Sequence, residues 1–542
     1  MKIMKKLIYI IFATSFFLGS LAYAAGTHPK TGEALNNDQT FVYWALDEHS
    51  SLDPQIVEDV SGSDIIRNLF EGLMNQDADG NLIPGVALGF STNEAKNVYT
   101  FNLRKNAKWS NGDTVTAHDF VYAWQRAVDP VTASPYSWFM EIMSIENGAE
   151  IISGDKTPSE LGVKALDDFT LEVKLSASLP YFANMVTHAT TFPTHKNTIE
   201  THGSNWTRPE NMVSNGAYKL TEHVINEKVV YERNPMYWDN KNTILEKVTS
   251  LVINSEDQGL TRYLAGELDK GPVPAGQFKR LKKEYPDQAV SFPRLCNYYY
   301  TFNLSESGIQ AFKNVRIRKA MSYAIDRNII TENVLGAGQI PAYTFTPGAT
   351  AGFEVPDVDY AKMSQTERDA KAKELMNGTI YGPDNPLKFT MIYNTSEGHK
   401  KIAIAMTQMW KQKLGIEVEL NNMEWKTFLD IRGKQDFEIA RGAWCGDYNE
   451  ASTFLDLLTT PSGYNDGKYS NKMVDKLMSE AKTSDDANPN YTKIEKMLAE
   501  EMPVIPIYHY AGVFMLNPTL KGWPFDNVEQ NWYAKDLYKV AK

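Results

Sequence analysis

Apolar positions along this chain switch repeatedly between a period of two and a period near 3.6, as they do where strands and helices are interleaved. Gln39 to Leu46 reads as a first strand, followed by a turn at Ser51, Leu52, Asp53 and Pro54. Ile65 to Leu73 then places Ile65, Ile66, Leu69, Phe70 and Leu73 on one helical face. Asn97 to Leu103 alternates as a strand. A turn at Ser110, Asn111, Gly112 and Asp113 leads into a helix begun near Thr116, with Val115, Phe120, Val121 and Trp124 on its apolar side. Leu387 to Tyr393, a helix from His399 to Leu414 closed by Gly415, and the alternating Ile416, Val418 and Leu420 make a βαβ unit. Ser364 and Glu367 form a capping box for a helix that ends near Gly378. The pattern predicts an α/β protein.

One stretch concentrates residues suited to holding a ligand: Arg441, Gly442, Ala443, Trp444, Cys445, Gly446, Asp447, Tyr448, Asn449 and Glu450. Small residues let another backbone approach, a tryptophan offers a flat wall, and a lone carboxylate follows. Phe437 to Arg441 alternates, so Trp444 to Asp447 falls at a strand end with an open edge where an extended ligand could pair. The alternative is an anchored loop whose Asp447 caps a turn or meets Arg441.

The N-terminus fixes the expected compartment. Lys2, Lys5 and Lys6 precede an apolar run from Leu7 to Leu21, and Ala22, Tyr23 and Ala24 form an A-x-A cleavage site before Ala25, so residues 1–24 read as a secretory signal peptide. The run is shorter than the ~20 residues of a membrane span, and no later stretch is long and uncharged enough to be one. With no cysteine near the cleavage site to accept a lipid, a protein free in the periplasm and not anchored to the membrane is expected. Removing three lysines takes the formal charge from -12 to -15, which argues against nucleic acid or anionic lipid as a partner. Cys296 and Cys445 are the only cysteines, and an exported chain with an even count usually pairs them. The bridge would close a loop worth at most about 5 kcal/mol, with free thiols as the alternative. Two cysteines with no nearby histidine do not complete a metal shell, and neither metal nor cofactor is expected.

Some 518 residues after processing exceed one core, and no low-complexity linker divides them. NLRKNAKWSNGDTVTAHDFVYAWQR (102 to 126) resembles the signature of the family 5 extracellular solute-binding proteins of ABC importers. DPVTASPY (129 to 136), LGVKALDDFTLEVKLS (161 to 176), VSNGAYKL (213 to 220), EWKTFLDIR (424 to 432) and ARGAWCGDYNE (440 to 450) follow the family pattern in order, and the similarity runs from about Ser51 to the C-terminus. The resemblance implies a large, class II, two-lobed periplasmic-binding-protein-like fold with an inserted extra domain and mixed sheets flanked by helices. Mapped here, lobe one is expected at 25–70, 196–294 and 510–542, the inserted domain at 71–195, and lobe two at 295–509. Two strand crossovers near Leu295 and Tyr508 would join the lobes, an arrangement suited to hinge closure.

It also implies a function, the capture of oligopeptides in an interlobe cleft for delivery to the membrane permease subunits of a cognate importer, by a monomer. Peptides of unspecified sequence share a backbone ladder and charged ends. Asp447 sits where the family pairs a carboxylate with the ligand's α-ammonium. Gly442 to Cys445, with Trp444, would pair with the ligand backbone from one lobe and Glu58 and Val60 from the other. Tyr136 matches an aromatic contact on the inserted domain. Arg432, Arg441 and His399 match anchors for ligand carboxylates, and Trp425 and Trp444 could wall a side-chain pocket. Residue types alone allow Arg441 to be a partner of Asp447 or Glu438, and His399 a surface residue at a helix start. Tyr298, Tyr299, Tyr300, Tyr508 and Tyr510 line the expected hinge side, alternate ones in the core, and Tyr510 is also expected to contact the ligand.

Three departures from the family pattern bear on peptide length and pocket chemistry: Thr301 replaces a glutamate, Leu335 replaces a lysine, and the segment Asp269, Lys270, Gly271, Pro272 is shorter and lacks an asparagine. Within the family, a murein tripeptide or haem is the alternative cargo. A peptidase is the main competing class, but the chain has neither an HExxH helix nor a GxSxG elbow, and Ser479 to Lys482 gives S-x-x-K only within a charged helical run. A chaperone or scaffold would need an exposed apolar surface.

Overall fold

Two strands of unusual length, Ala289–Phe302 and Val504–Leu516, run antiparallel through the middle of an 11-stranded sheet. The structure is a computed structural model that describes residues 26–541, so the leader read from the sequence lies outside the described residues. From one edge the strand order is Glu417–Met423, Lys388–Asn394, Ile439–Cys445, Ala289–Phe302, Val504–Leu516, Lys270–Pro272, Thr40–Ala45, Lys247–Val252, Lys228–Arg233 and Tyr218–Val224, and the eleventh, Ile340–Pro341, pairs with Val504–Leu516 off this path. The two long strands are thus shared by both halves. Their ladder slips between Pro293 and Asn297, where the Leu295 N–H donates to Val528 O at 2.7 Å instead. Proline cannot donate, so the break falls where the sequence already withholds a ladder bond.

A separate four-stranded sheet, Ala87–Thr92, Val98–Leu103, Thr170–Lys174 and Val163–Asp167, lies between the first strand and the rest of the main sheet in sequence. Helix Ala117–Val128 accompanies it. Its start is set by a capping box in which the Thr116 N–H donates to Asp119 Oδ2 at 2.7 Å, and it buries Phe120 and Trp124.

Local capping fixes several other boundaries. Ser364 and Glu367 cap helix Gln365–Asn377, and helix Glu397–Leu414 ends at Gly415 with φ +71°. The helix expected over 65–73 instead spans Val60–Leu69, because the Asp59 carboxylate accepts from the Gly62 N–H at 2.6 Å and starts the helix early. Phe70 is already extended, so Leu73 is buried without being helical. Tyr298, Tyr299 and Tyr300 are all buried, correcting the expectation that alternate ones would be. A central strand covered on both faces has no solvent side. Cys296 and Cys445 face each other across the ladder and are bonded.

One apolar cluster fills the region around the four-stranded sheet and continues without a break into Trp444, Tyr448, Phe454 and Leu455. A second lies beneath Tyr298, Tyr300, Phe389, Met406, Trp410 and Ile439. No helix among the described residues is long and apolar enough to cross a membrane.

Candidate functional site

Strand Ile439–Cys445 pairs along its whole length with Ala289–Phe302 on one side, from Phe302 opposite Ile439 to Cys296 opposite Cys445. On its other side the neighbouring strand meets it only at Ile439 and Ala440. Arg441 to Cys445 therefore has an open backbone edge, the geometry that accepts an extended peptide as an added strand. The glycines serve a different purpose from the one read in the sequence. A Cβ on Gly442 would meet the Tyr299 ring at 2.4 Å, and one on Gly446 would meet Leu295 at 2.7 Å, so both keep the strand against its internal neighbours.

Beyond Cys445 the chain is pinned twice. The Gly446 N–H donates to Leu295 O at 2.9 Å and the Asp447 N–H donates to Thr453 Oγ1 at 2.9 Å, which turns the Asp447 carboxyl inward. Its Oδ1 lies 3.4 Å from both the Tyr136 hydroxyl and His188 Nε2, while Oδ2 is buried with no partner. Burial pushes this carboxyl up to about 8 against the pull of the Arg67 charge and the Tyr136 hydrogen bond. Burial, with the Arg67 charge adding to it, drives His188 down to about 3. His188 is thus neutral, and its Nδ1 accepts from the Thr190 N–H, leaving an Nε2–H facing Asp447. The contact is not an ion pair.

Aromatic rings enclose the carboxyl. Tyr136 lies parallel to Trp444 with centroids 6.3 Å apart and stacks on His188 at 5.1 Å, while Tyr464 meets Tyr136, Trp138 and Trp444 at 5.3–5.4 Å. A buried acid without a cation, ringed by aromatic faces, is a chemical fit for an ammonium group.

Six residues back along the strand the opposite imbalance occurs. Arg441 donates to Tyr510 Oη at 2.8 Å and to Asn394 Oδ1 at 3.3 Å, and its guanidinium stands 4.8 Å over the Tyr298 ring. Its Nε is buried without a partner, and no carboxylate among the described residues lies within ion-pair distance. It pairs with neither Asp447 nor Glu438, whose Oε2 accepts from the Thr390 N–H. A ligand carboxylate would neutralise it.

The remaining expected residues divide. His399 is not a surface residue: its ring meets Tyr298, and burial reinforced by the Arg441 charge holds it well below the ordinary histidine value, so it is not a cation. It lines a cavity of about 160 Å³ with Leu335, Glu256, Tyr508 and Tyr510. Arg432 is already spent on Asp466, with Nε donating to Oδ2 at 2.6 Å. Trp425 stacks on Phe428 and belongs to a cluster with Phe437 and Ile392, whereas Trp444 packs with Tyr136 and Tyr464, so the two tryptophans lie in different clusters. Glu58 accepts from the Tyr464 hydroxyl at 2.9 Å, and burial raises its carboxyl against that hydrogen bond. Val60 opens a helix, so this side does not present the second strand edge expected from the sequence. Ser479 is exposed on helix Lys472–Lys482, and Lys482 sits 3.5 Å from Asp456, which leaves no catalytic pair there. His188, Trp138 and Tyr464 escaped the sequence reading, since no motif surrounds them and only the tertiary fold brings them to Asp447.

The chain is a member of the bacterial extracellular solute-binding proteins, family 5, whose middle-region model matches residues 81–466. It is 45% identical to the periplasmic murein peptide-binding protein MppA of Escherichia coli, over 96% of each chain, and 42% identical to the periplasmic oligopeptide-binding protein OppA of Salmonella typhimurium, over 99% of this chain and 98% of that one. Among solved structures, E. coli MppA superposes with a TM-score of 0.91 at 44% identity, covering 94% of this chain and 100% of that chain. Haemophilus influenzae OppA in complex with RPPGFSPFR gives 0.89 at 40% identity and the same coverage. The unliganded open form of MppA gives only 0.68 at 43% identity, covering 94% of this chain and 99% of that one. The present arrangement thus lies nearer the peptide complex than the open form.

Proposed function

We propose that this chain is the periplasmic receptor of an ABC importer and captures oligopeptides by their backbone and charged ends. One observation carries the reading. An open strand edge is flanked by a buried acid lacking a cation, Asp447, and a buried cation lacking an acid, Arg441. An extended peptide supplies an ammonium, a backbone ladder and a carboxylate in that order. The reading includes lobe one at 25–70, 196–294 and 510–542, the inserted domain at 71–195 and lobe two at 295–509. It also includes a cleaved leader, no lipid anchor, a monomeric state and docking on membrane permease subunits. The names of the relatives support a binder over a peptidase.

Calorimetric titration with a free tripeptide and with its N-acetylated form tests this. Saturable 1:1 binding of the first, much weaker binding of the second and no cleavage of either are expected. Equal affinity for the two would overturn the role of Asp447.

A murein peptide is the second reading. Such a peptide carries carboxylates beyond its C-terminus, and the buried Nε atoms of Arg67 and Arg294 both lack partners. Mass spectrometry of the ligand that co-purifies separates the two readings.

A further inference from the structure

Beside the segment that carries Glu58, two adjacent side chains meet a third that lies 175 residues from Glu48 in the sequence. Glu48 and His49 follow strand Thr40–Ala45, and His223 lies on strand Tyr218–Val224. One donor atom from each lies within 4.8 Å of the other two. Glu48 Oε1 is 2.8 Å from His223 Nε2 and 3.3 Å from His49 Nδ1, and the imidazole centroids are 5.0 Å apart. The second carboxylate oxygen is held in place, since Glu48 Oε2 accepts from the Asn226 N–H at 2.8 Å. Glu48 and His49 are buried and His223 is half-buried, so the cluster has an interior floor and one side toward solvent.

The two cysteines, with no histidine near them in sequence, predict no metal site, and the histidines of this cluster lie far from both. We propose that Glu48, His49 and His223 form a site for one divalent transition metal ion, with zinc as the best fit, and leave a coordination position open on the solvent side. Two imidazoles and one carboxylate are a donor set that zinc accepts with bonds of about 2.0–2.2 Å. That geometry separates donors by roughly 3.3 Å, so the present spacing requires side-chain movements of about an ångström or less. The Asn226 N–H supplies the outer hydrogen bond that fixes a metal-bound carboxylate.

The position suggests what the ion does. Ser50, next to His49, accepts from the Glu58 N–H through its hydroxyl at 3.1 Å and donates its own N–H to Asp59. A bound ion would tie the loop carrying Glu48 to the hairpin carrying His223, and so brace the segment that presents Glu58.

The test uses untagged full-length mature protein freed of metal by chelation. Zinc chloride titrated calorimetrically should bind one ion per chain and raise the thermal midpoint. His49→Gln and His223→Gln, which keep hydrogen-bonding capacity, should each weaken zinc by more than about tenfold. Both should leave peptide affinity and the midpoint in chelator unchanged. Cobalt added to the unaltered protein should give the visible absorption of a low-coordinate nitrogen and oxygen site, a readout that survives should either variant misfold. Absence of saturable zinc binding, or zinc affinity unchanged in the double variant, would overturn the proposal and leave Glu48 as the acceptor of a histidine hydrogen-bond network.

Discussion

The Tyr464 hydroxyl donates to Glu58 Oε2 at 2.9 Å, joining residues 406 positions apart across the mouth of the cleft. Glu58 precedes helix Val60–Leu69, and Tyr464 belongs to a loop whose aromatic neighbours enclose Asp447. With Glu58 on the proposed lobe one and Tyr464 on the proposed lobe two, this bond should act on closure more than on folding. Tyr464→Phe is expected to weaken peptide binding about fivefold to tenfold, as one hydrogen bond to a carboxylate is worth about 1–1.5 kcal/mol net. Unchanged affinity in titration calorimetry would show that Glu58 finds another partner in the complex.

Asp447→Asn should abolish tight binding of free-amine peptides, a loss of about 100-fold or more, because a buried ammonium left without its anion costs several kcal/mol. The thermal midpoint should barely move, since burial has already pushed this carboxyl up to about 8 and an amide resembles its neutral form. The variant should bind free and N-acetylated peptides alike. A variant that still distinguishes them would place the ammonium elsewhere.

Peptide length follows from the two groups that lack a partner, the Asp447 carboxyl and the Arg441 guanidinium. Arg441 lies six residues before Asp447, so a dipeptide of about 7 Å held at Asp447 leaves its carboxylate far from Arg441, and each added residue brings it about 3.5 Å nearer. Leu335 offers no cation within the cavity near His399, and Glu256 on its wall would repel a carboxylate. Tripeptides and longer ligands should bind at least tenfold, or about 1.4 kcal/mol, tighter than dipeptides, and Arg441→Ala should narrow the gap. Titration with Lys-Lys, Lys-Lys-Lys and Lys-Lys-Lys-Lys checks this, and an equally tight dipeptide would refute it.

The titration of Asp447 predicts a pH-dependent closure of the empty protein. Burial in the closed cleft pushes this acid up to about 8, and hydration on opening would return it toward the ordinary carboxylate range. An acid whose value is raised favours the closed form below the lower value and loses that contribution as pH rises through the higher one. Ligand-free closure should therefore decline between about pH 4 and 8, and Asp447→Asn should remove that component. Glu529, raised to about 7 by burial, has the same sign, while the depressed His188 and His399 oppose closure at low pH. Energy transfer between dyes on the two lobes, compared in both proteins, isolates Asp447. Identical pH profiles would show that its hydration does not change on closure.

Cys296 and Cys445 are bonded across the ladder, closing a separation of 149 residues directly before Asp447. Cys296→Ser with Cys445→Ser should lower stability by up to about 5 kcal/mol and weaken peptide binding as well, since the strand end is no longer tied. Chemical denaturation and thiol titration of denatured, unreduced protein check this. Two reactive thiols in the unaltered protein would contradict it.

What the sequence shows and hides follows the range of the interactions. Ser364 with Glu367, Thr116 with Asp119, and Gly415 act within a few residues, so these helix ends are legible in the local order of residues. Asp59 was overlooked because its cap lies outside the apolar face that marked the helix. Asp447 and Arg441 stood out as charges beside small and aromatic residues. The ring of His188, Trp138 and Tyr464 around Asp447 did not, because packing across distant segments assembles it. Arg432 shows the converse, a residue that resembles an anchor yet already has Asp466 as its counterion. Glu48 and His49 are adjacent, but nothing in their surroundings announces His223.

The enclosure of Asp447 also bears on the clock of the molecule. With only 9% of the residue exposed and Tyr136, Trp444 and Tyr464 walling it, the amino end of a peptide held at Asp447 would be the most enclosed part of the ligand. Departure waits for the whole cleft to part, and Glu58 and Tyr464 must separate first. Peptides that differ only in outward-facing side chains should then leave at one shared rate, so their affinities would diverge through how fast each is captured.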